Sequence, residues 1–137
     1  MIRYALDTNI VSYFLKNDFS IIKKMKLEIE RKNDFVIPPT VYFEIRNWLL
    51  ANNSQKKMAV FQDMYSSQGI GVIDKDILDI ASKIKTELRN KGIAIGDDVL
   101  IAAYCIKHNL VLVTNNAKHF GDIDNLQIVN WKDKGQA

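Results

Sequence analysis

Residues 2–9 read IRYALDTN, a short apolar run that passes directly into polar residues. The run from Ile2 to Leu6 predicts a β-strand, and Thr8 or Asn9 can cap a helix that continues to Leu15. A strand that leads straight into a helix is the first half of a crossover, and crossovers join parallel strands. This stretch therefore predicts the start of an α/β fold with parallel strands.

The remainder of the chain repeats the alternation of strand and helix. Short β-rich or apolar runs predict further strands at Phe35 to Ile37, Ile70 to Ile73, Leu110 to Thr114 and Leu126 to Val129. Helical spacing and end signals predict the main helices at Thr40 to Ala51, Lys75 to Lys91 with Gly92 as its C-terminal cap, and Asp98 to Asn109. We expect one domain over residues 1–137, with a central, mostly parallel sheet of four to five strands and helices on both faces.

The composition is that of a soluble globular protein. Hydrophobic residues make up 47% and charged residues 26% of the 137 positions, and no apolar run is long enough to span a membrane. The first residues lack the order of a signal peptide, so we expect a cytoplasmic protein. The lone Cys105 lies in an apolar run, which indicates a packing role.

The charge of the chain is mildly basic. A net charge of +3 gives a weak attraction to polyanions. The basic residues are concentrated in two segments, Lys23, Lys24, Lys26, Arg31 and Lys32 in one and Lys83, Lys85, Arg89 and Lys91 in the other. Each cluster can be a solvated helix face or a surface that contacts phosphates.

Polar side chains stand where predicted strands end and helices begin. Asp7 directly follows the first strand, and Glu44 lies one turn into the helix after the second. Asp98 opens a late helix, and the Asn115-Asn116 pair follows a later strand. The carboxyl ends of parallel strands meet at one edge, so these residues should converge there. Converging carboxylates repel one another, and magnesium is a cation that such oxygen ligands bind.

Each acid also has a purely structural interpretation. Residues 7–9 can be an N-cap cluster, and Asp97 and Asp98 can complement a helix dipole. Glu44 is different, because its helix is apolar nearly all round. We therefore expect Glu44 to be partly buried and in need of a partner. Arg46 is unsuited to that task, since residues two apart point to different sides of a helix.

Four motifs in chain order carry a resemblance to a known family: Asp7-Thr8-Asn9, Glu44 after an Ile-Pro-Pro segment, Asp98 ahead of Ile101-Ala102-Ala103, and Leu112-Val113-Thr114-Asn115-Asn116. They resemble the ordered motifs of PIN domains, specifically of VapC-type toxins from bacterial toxin–antitoxin pairs. The resemblance covers nearly the whole chain, and it implies a PIN-domain fold.

The resemblance also implies a function. It is that of an Mg²⁺- or Mn²⁺-dependent endoribonuclease that cuts structured RNA, with transfer RNA foremost, and that a VapB-like antitoxin inhibits. The metal-binding and catalytic acids of the family carry over to Asp7, Glu44 and Asp98. The positions that would assist them are Thr8, Asn9, Asp97, Thr114, Asn115 and Asn116.

One position departs from the pattern of many PIN domains. Asn116 stands where they carry a fourth acid. An amide can bind a metal or its water but brings no charge. The departure implies that one metal is bound firmly and a second only weakly.

Apolar residues on two helices raise the question of protein partners. The helix from Thr40 to Ala51 carries more large side chains than one buried stripe needs. These residues can be core, or they can form a groove for the antitoxin, with contributions from Trp48, Met58, Phe61, Met64 and Tyr65. We also expect a homodimer that forms near the late helices, within a toxin–antitoxin hetero-oligomer.

Four alternatives remain open. A metal-free ribonuclease would use His108 and His119 as acid and base. A receiver domain groups acids at strand ends but keeps an acidic pair where this chain has Asp7 alone. A phosphatase of the haloacid dehalogenase type needs an acid where Asn9 stands. A non-catalytic PIN relative that binds RNA or protein is consistent with Asn116.

Overall fold

A computed structural model describes residues 1–132 of the chain. Four parallel strands form one sheet in the order β2-β1-β3-β4. They are β1 (Arg3–Leu6), β2 (Asp34–Val36), β3 (Val111–Val113) and β4 (Ile128–Val129). The α/β class and the parallel sheet are as predicted, with the strand number at the lower end of the expected range.

Seven helices in this described part of the chain connect and flank the strands. They are α1 (Thr8–Leu15), α2 (Phe19–Glu30), α3 (Pro39–Ala51), α4 (Gln55–Tyr65), α5 (Lys75–Asn90), α6 (Asp98–His108) and α7 (Ala117–Phe120). Among residues 1–132, no helix is long and apolar enough to cross a membrane. Gly92 ends α5 with a φ of +79°, the left-handed conformation predicted for its C-terminal cap.

Strand β1 lies in the interior of the sheet and sets the position of the site. Tyr4, Ala5 and Leu6 are all buried, as expected of a strand covered on both faces. The strand pairs with β2 on one side and β3 on the other, so the chain reverses its direction of travel across the sheet at β1. In parallel sheets, ligands bind beyond the carboxyl ends of the strands at such a reversal. The crevice is therefore expected between the ends of β1 and β3.

The strand predicted at Ile70 to Ile73 is wrong. These residues follow α4 as an irregular segment, in which Gly71 passes so close to Tyr104 that a β carbon would lie 2.2 Å from the tyrosine hydroxyl. Gly71 therefore permits this close approach and does not belong to a strand. The nearby Gln68 amide donates to the carbonyl of Phe35 at 3.3 Å, so a side chain occupies part of the outer edge of β2.

The cap of α1 also differs from the prediction. Asp7, and not Thr8 or Asn9, is the N-cap residue, with an extended backbone at φ −71° and ψ 162°. Its side chain accepts a hydrogen bond from the Thr8 amide at 2.8 Å. Because β1 ends at Leu6, the next residue leaves the strand and starts the helix in a single step.

The helix pair α3 and α4 is held together by an aromatic cluster. Phe61 is fully buried and stacks on Tyr42 with ring centroids 5.9 Å apart, and Tyr65 packs edge-on against both rings. Phe61 therefore belongs to the core, and a partner protein has no access to it. Of the remaining predicted groove residues, Trp48, Met58, Met64 and Tyr65 are half-buried.

Candidate active site

Asp7 is a buried carboxylate at the carboxyl end of β1. Its residue is 6% exposed, and its backbone amide donates to the carbonyl of Val113 at 2.9 Å. Oδ1 accepts from the amide of Thr8, and Oδ2 accepts from the hydroxyl of Thr114 at 2.7 Å. The carboxyl ends of β1 and β3 thus meet at this side chain, in the crevice that the strand order predicts.

The surroundings of Asp7 oppose its ionisation. Burial is the largest influence and raises the pKa of the carboxyl group above its usual 3.8. The hydrogen bonds from Thr114 and Thr8 lower the pKa, but the negative charge of Asp98 raises it again. His119 lowers the pKa by a smaller amount, and the net shift is upward.

Glu44 lies on α3 and is exposed, which corrects the expectation that it is partly buried. Its helix turns this side chain away from the core, toward the start of α1. The Thr8 hydroxyl donates to Glu44 Oε1 at 2.8 Å. Arg46 does not serve as its partner and instead contacts the sulfur of Met58 at 3.8 Å.

The pKa of Glu44 is influenced by the other predicted acids. Desolvation of the carboxyl group raises its pKa above 4.5, while the hydrogen bond from Thr8 lowers it. The charges of Asp98, Asp7 and Asp97 each raise it further. Four acids from three different parts of the chain therefore act on one another electrostatically, as the sequence predicts.

Asp98 begins α6 and has a partner that the sequence analysis did not foresee. Its carboxylate Oδ2 lies 3.0 Å from His119 Nε2, with the Asp98 side chain 39% exposed. His119 lies on the short helix α7, which the sequence did not predict. Asp97, the residue before α6, is exposed, and its side chain makes no capping bond.

The residues after β3 tie the site together. The Thr114 hydroxyl donates to Asp7 and accepts from the amide of Asn116 at 3.0 Å. The amide of Asn115 donates weakly to Asn9 Oδ1 at 3.4 Å, and the Asn115 side chain donates to the hydroxyl of Tyr13 at 3.0 Å. These contacts hold the loop after β3 against the start of α1. Tyr13 is a residue of the site that the sequence analysis missed, because its place in an amphipathic helix gave no sign of this hydrogen bond.

The two histidines lie apart. His108 is exposed at the end of α6 and its ring contacts Tyr104, whereas His119 contacts Asp98 at the start of α6. The ten residue steps from Asp98 to His108 span about 15 Å along the helix axis. The arrangement disfavours a metal-free mechanism in which one histidine is the acid and the other the base.

The donor set at the site fits a hard divalent cation. Carboxylates supply the charge, with hydroxyl and amide oxygens around them. Cys105 is buried nearby, and burial raises the pKa of its thiol to about 12, so it offers no thiolate. Residues 1–132 contain no ready-made cluster of three or more His, Cys, Asp or Glu ligands. Magnesium commonly uses only one or two protein carboxylates, together with waters and substrate phosphate.

The sequence matches the family described as PIN domain over residues 4–126. The chain belongs to the PIN-domain family, and within it to the VapC type. This match extends from β1 almost to β4 and so includes Asp7, Glu44 and Asp98. The resemblance inferred from four short motifs is confirmed.

Curated relatives of this PIN domain match over nearly their whole length. Ribonuclease VapC2 of Rickettsia felis is 32% identical over 137 residues, covering 93% of this chain and 97% of the relative. A protein of Shigella flexneri named tRNA(fMet)-specific endonuclease VapC is 25% identical over 134 residues, covering 96% and 99%.

Solved structures give the same result for the fold. The crystal structure of VapBC2 from Rickettsia felis bound to a promoter DNA fragment matches with a TM-score of 0.84 at 31% identity. The alignment covers 96% of this PIN domain and all of the matched chain. The predicted PIN fold is thereby confirmed.

Proposed function

We propose that this chain is the toxin of a VapBC-type pair, an Mg²⁺- or Mn²⁺-dependent endoribonuclease acting in the cytoplasm. The observation that carries the proposal is the convergence of Asp7, Glu44 and Asp98 beyond the ends of β1 and β3. The charge of Asp98 raises the pKa of both Asp7 and Glu44. A site that concentrates negative charge in this way is suited to a divalent cation and a phosphate.

Asp7, Glu44 and Asp98 are the residues that would hold the cation. When bound, a divalent cation neutralises these carboxylates and offsets the charge that builds up on a phosphodiester during hydrolysis. Thr114 and the Thr8 amide fix both oxygens of Asp7, so this ligand needs no reorganisation. The mixed hydroxyl and amide oxygens of Asn116 and its neighbours would position waters around the site.

Glu44 is the residue placed to accept a proton. The bond from Thr8 fixes its orientation toward the site, so Glu44 would act either as a cation ligand or as the carboxylate that orients the attacking water and takes its proton. In the proposed reaction a water oxygen bonds to phosphorus and gives its proton to Glu44. The bond from phosphorus to the 3′ oxygen breaks, and that oxygen takes a proton from solvent. The products are a 5′-phosphate and a 3′-hydroxyl.

Neighbouring aspartates provide a matched test of the site. Asp98→Asn should reduce RNA cleavage by about a thousandfold, which corresponds to roughly 4 kcal/mol of transition-state stabilisation. Asp97→Asn removes the same charge one residue away and should retain activity to within about tenfold. Cleavage would be measured with Mn²⁺ and with excess EDTA. Full activity of Asp98→Asn, or of the wild type in EDTA, would contradict the proposal.

We propose transfer RNA as the substrate class. The support is the name of the Shigella flexneri relative, tRNA(fMet)-specific endonuclease VapC. The exposed basic residues of α2 and α5 supply phosphate contacts without base specificity. Sequencing of the RNA ends produced after brief induction would identify the cut; ends confined to messenger or ribosomal RNA would contradict this choice.

A VapB-like antitoxin is the proposed inhibitor, supported by structural relatives that are VapBC complexes. An open groove of about 800 Å³ lies between α1, α2 and α4. Its walls include Met25, Ile29 and Val60, and its basic side chains are Lys26, Lys56 and Lys57. This apolar and basic groove is suited to an amphipathic antitoxin segment with acidic residues. It is a better candidate for the antitoxin site than the groove predicted from the sequence, because that groove includes the buried Phe61.

Two exposed valines test the groove. Val60→Asp places an acid in it, and Val72→Asp is the control on an exposed segment elsewhere. Co-purification with the cognate antitoxin should be lost for Val60→Asp alone. Equal retention by both variants would exclude this groove.

A homodimer near the late helices also remains part of the proposal. Light scattering at high concentration tests it, and a monomer at all concentrations would contradict it.

A further inference from the structure

His119 packs against its neighbour Phe120 on α7. The adjacent Phe120 is fully buried and anchors the short helix. The two rings meet edge-on, with centroids 5.0 Å apart and planes at 80°. The His119 side chain is 30% exposed, and its Nε2 lies 3.0 Å from Asp98 Oδ2. This imidazole therefore has a defined orientation toward one oxygen of one acid.

A six-residue segment contacts both principal acids of the site. At its start, the Thr114 hydroxyl donates to Asp7 Oδ2 and accepts from the amide of Asn116. At its end, His119 reaches Asp98. Asp7 follows β1 and Asp98 begins α6, so residues 114–119 connect two acids that the backbone places on different elements.

Asp98 depends on its contact with His119 more than Asp7 depends on its contact with Thr114. Asp7 is buried and accepts two hydrogen bonds, whereas the Asp98 side chain is 39% exposed. Fixing an exposed side chain costs rotamer entropy when a ligand binds. A partner that already holds one oxygen of Asp98 reduces that cost, because the other oxygen is then presented in a defined direction.

We propose that His119 is a positioning residue that holds Asp98 for the divalent cation. The inference rests on the proposed function, in which Asp98 is a ligand. With a hydrogen on Nε2, His119 would donate to Oδ2 and leave the second carboxylate oxygen of Asp98 to bind the cation. The bond needs only a hydrogen on Nε2, which both the imidazolium and one neutral tautomer carry.

Two substitutions separate positioning from packing. His119→Phe keeps a ring against Phe120 but removes the donor, while His119→Gln keeps an N–H donor near the position of Nε2 and removes the ring. Binding of Mn²⁺ to the full chain without RNA would be measured by electron paramagnetic resonance. His119→Phe should bind Mn²⁺ about 10- to 100-fold more weakly, and His119→Gln should stay within a few-fold of wild type. Thermal unfolding in EDTA checks that both variants are folded.

Other outcomes would overturn the proposal in distinguishable ways. Wild-type affinity in His119→Phe would show that the donor is dispensable, and tighter binding would show that His119 competes with the cation for Asp98. Weak binding by His119→Gln with normal binding by His119→Phe would indicate packing alone. Asp98→Asn is the reference, since unchanged Mn²⁺ affinity there would remove Asp98 as a ligand and with it the proposed function. Loss in Asp98→Asn but not in His119→Phe would overturn the positioning role alone.

Discussion

Two buried acids associated with β1 have opposite environments. Asp7 follows the strand at its carboxyl end and is 6% exposed, and Glu28 on α2 is 3% exposed. Glu28 accepts hydrogen bonds from the hydroxyl of Tyr4 on β1 at 3.1 Å, from the Asn33 amide group at 2.7 Å and from Arg31 at 3.3 Å. Asp7 accepts from neutral donors and faces other acids.

The pKa values of the two acids move in opposite directions. For Glu28, burial raises the pKa. The hydrogen bonds from Asn33 and Tyr4 and the charge of Arg31 together lower the pKa by more than burial raises it, so the net shift is downward. For Asp7, burial prevails and the net shift is upward. Burial alone therefore does not identify a functional acid. A buried acid with cationic and polar partners is structurally complete, whereas one among other acids is suited to binding a cation.

The largest effect should come from Asp7→Asn. Cleavage should fall by about a thousandfold, because an amide cannot replace the ligand charge. Asparagine still caps a helix, so the fold should persist. In EDTA the variant should unfold at the same or a higher temperature than wild type, since a buried charge has been removed. Initial rates and thermal unfolding measure the two effects, and a rate within tenfold of wild type would contradict the role of Asp7.

Thr114→Val should have the next largest effect. The substitution keeps the shape but removes the hydroxyl that donates to Asp7 and accepts from Asn116. We expect a 10- to 100-fold loss of cleavage and a stability loss of about 1–3 kcal/mol. Thr86→Val, at an exposed position of α5, is the control and should change neither the rate of cleavage nor the free energy of unfolding. Unaltered cleavage by Thr114→Val would show that Asp7 needs no orientation.

Glu28→Gln should give the reverse of the Asp7 result. Loss of its charge-assisted bonds should lower the free energy of unfolding by about 1–3 kcal/mol in urea titrations. Cleavage under folded conditions should stay within about twofold of wild type. A hundredfold loss of cleavage would end the distinction between a structural acid and a catalytic one.

The smallest effect lies in the pH dependence of stability without metal. The folded pKa of Glu28 is below 4.5, so its ionised form contributes stability above pH 4.5 that is lost as the pH falls through the folded pKa. The folded pKa of Asp7 is above 3.8, so its ionised form costs stability above that folded pKa and the cost disappears as the pH falls toward 3.8. In EDTA, Glu28→Gln should have a lower free energy of unfolding than wild type and Asp7→Asn a higher one, and both differences should become smaller as the pH falls. Differences in the free energy of unfolding that become larger on acidification would show that the two pKa shifts have the opposite directions.

Most of the fold could be predicted because strong local signals agree with it. The apolar run of β1, the two prolines at the start of α3 and the long apolar face of α5 each determine one element with little help from the rest of the chain. The convergence of Asp7, Glu44 and Asp98 follows from the parallel order, since acids placed after strands and at helix starts meet at one edge.

The errors arose where tertiary contacts decide the structure. Gly71 lies within the strand predicted at Ile70 to Ile73, but the close approach of Tyr104 is what requires a glycine there. Helix α7 has four residues, too few for a helical pattern to be visible in the sequence, so no helix was predicted around His119. Its contact with Asp98 joins positions 21 residues apart, and neither position alone indicates the other. Glu44 was expected to be partly buried because its helix is rich in apolar residues, yet Phe43 and Leu50 of that helix are themselves exposed.

The hydrogen bond between Asp7 and Thr114 joins residues that are 107 positions apart. During translation, the ribosome adds Asp7 long before its partner exists, and β3, which directly precedes Thr114, must leave the exit tunnel before it can pair with β1. A chain released early by a premature stop or a stalled ribosome would therefore carry the acids of its first half without the support that orients them. For an enzyme proposed to attack the RNA of the translation machinery, this order of synthesis delays assembly of the site until nearly the whole chain has been made.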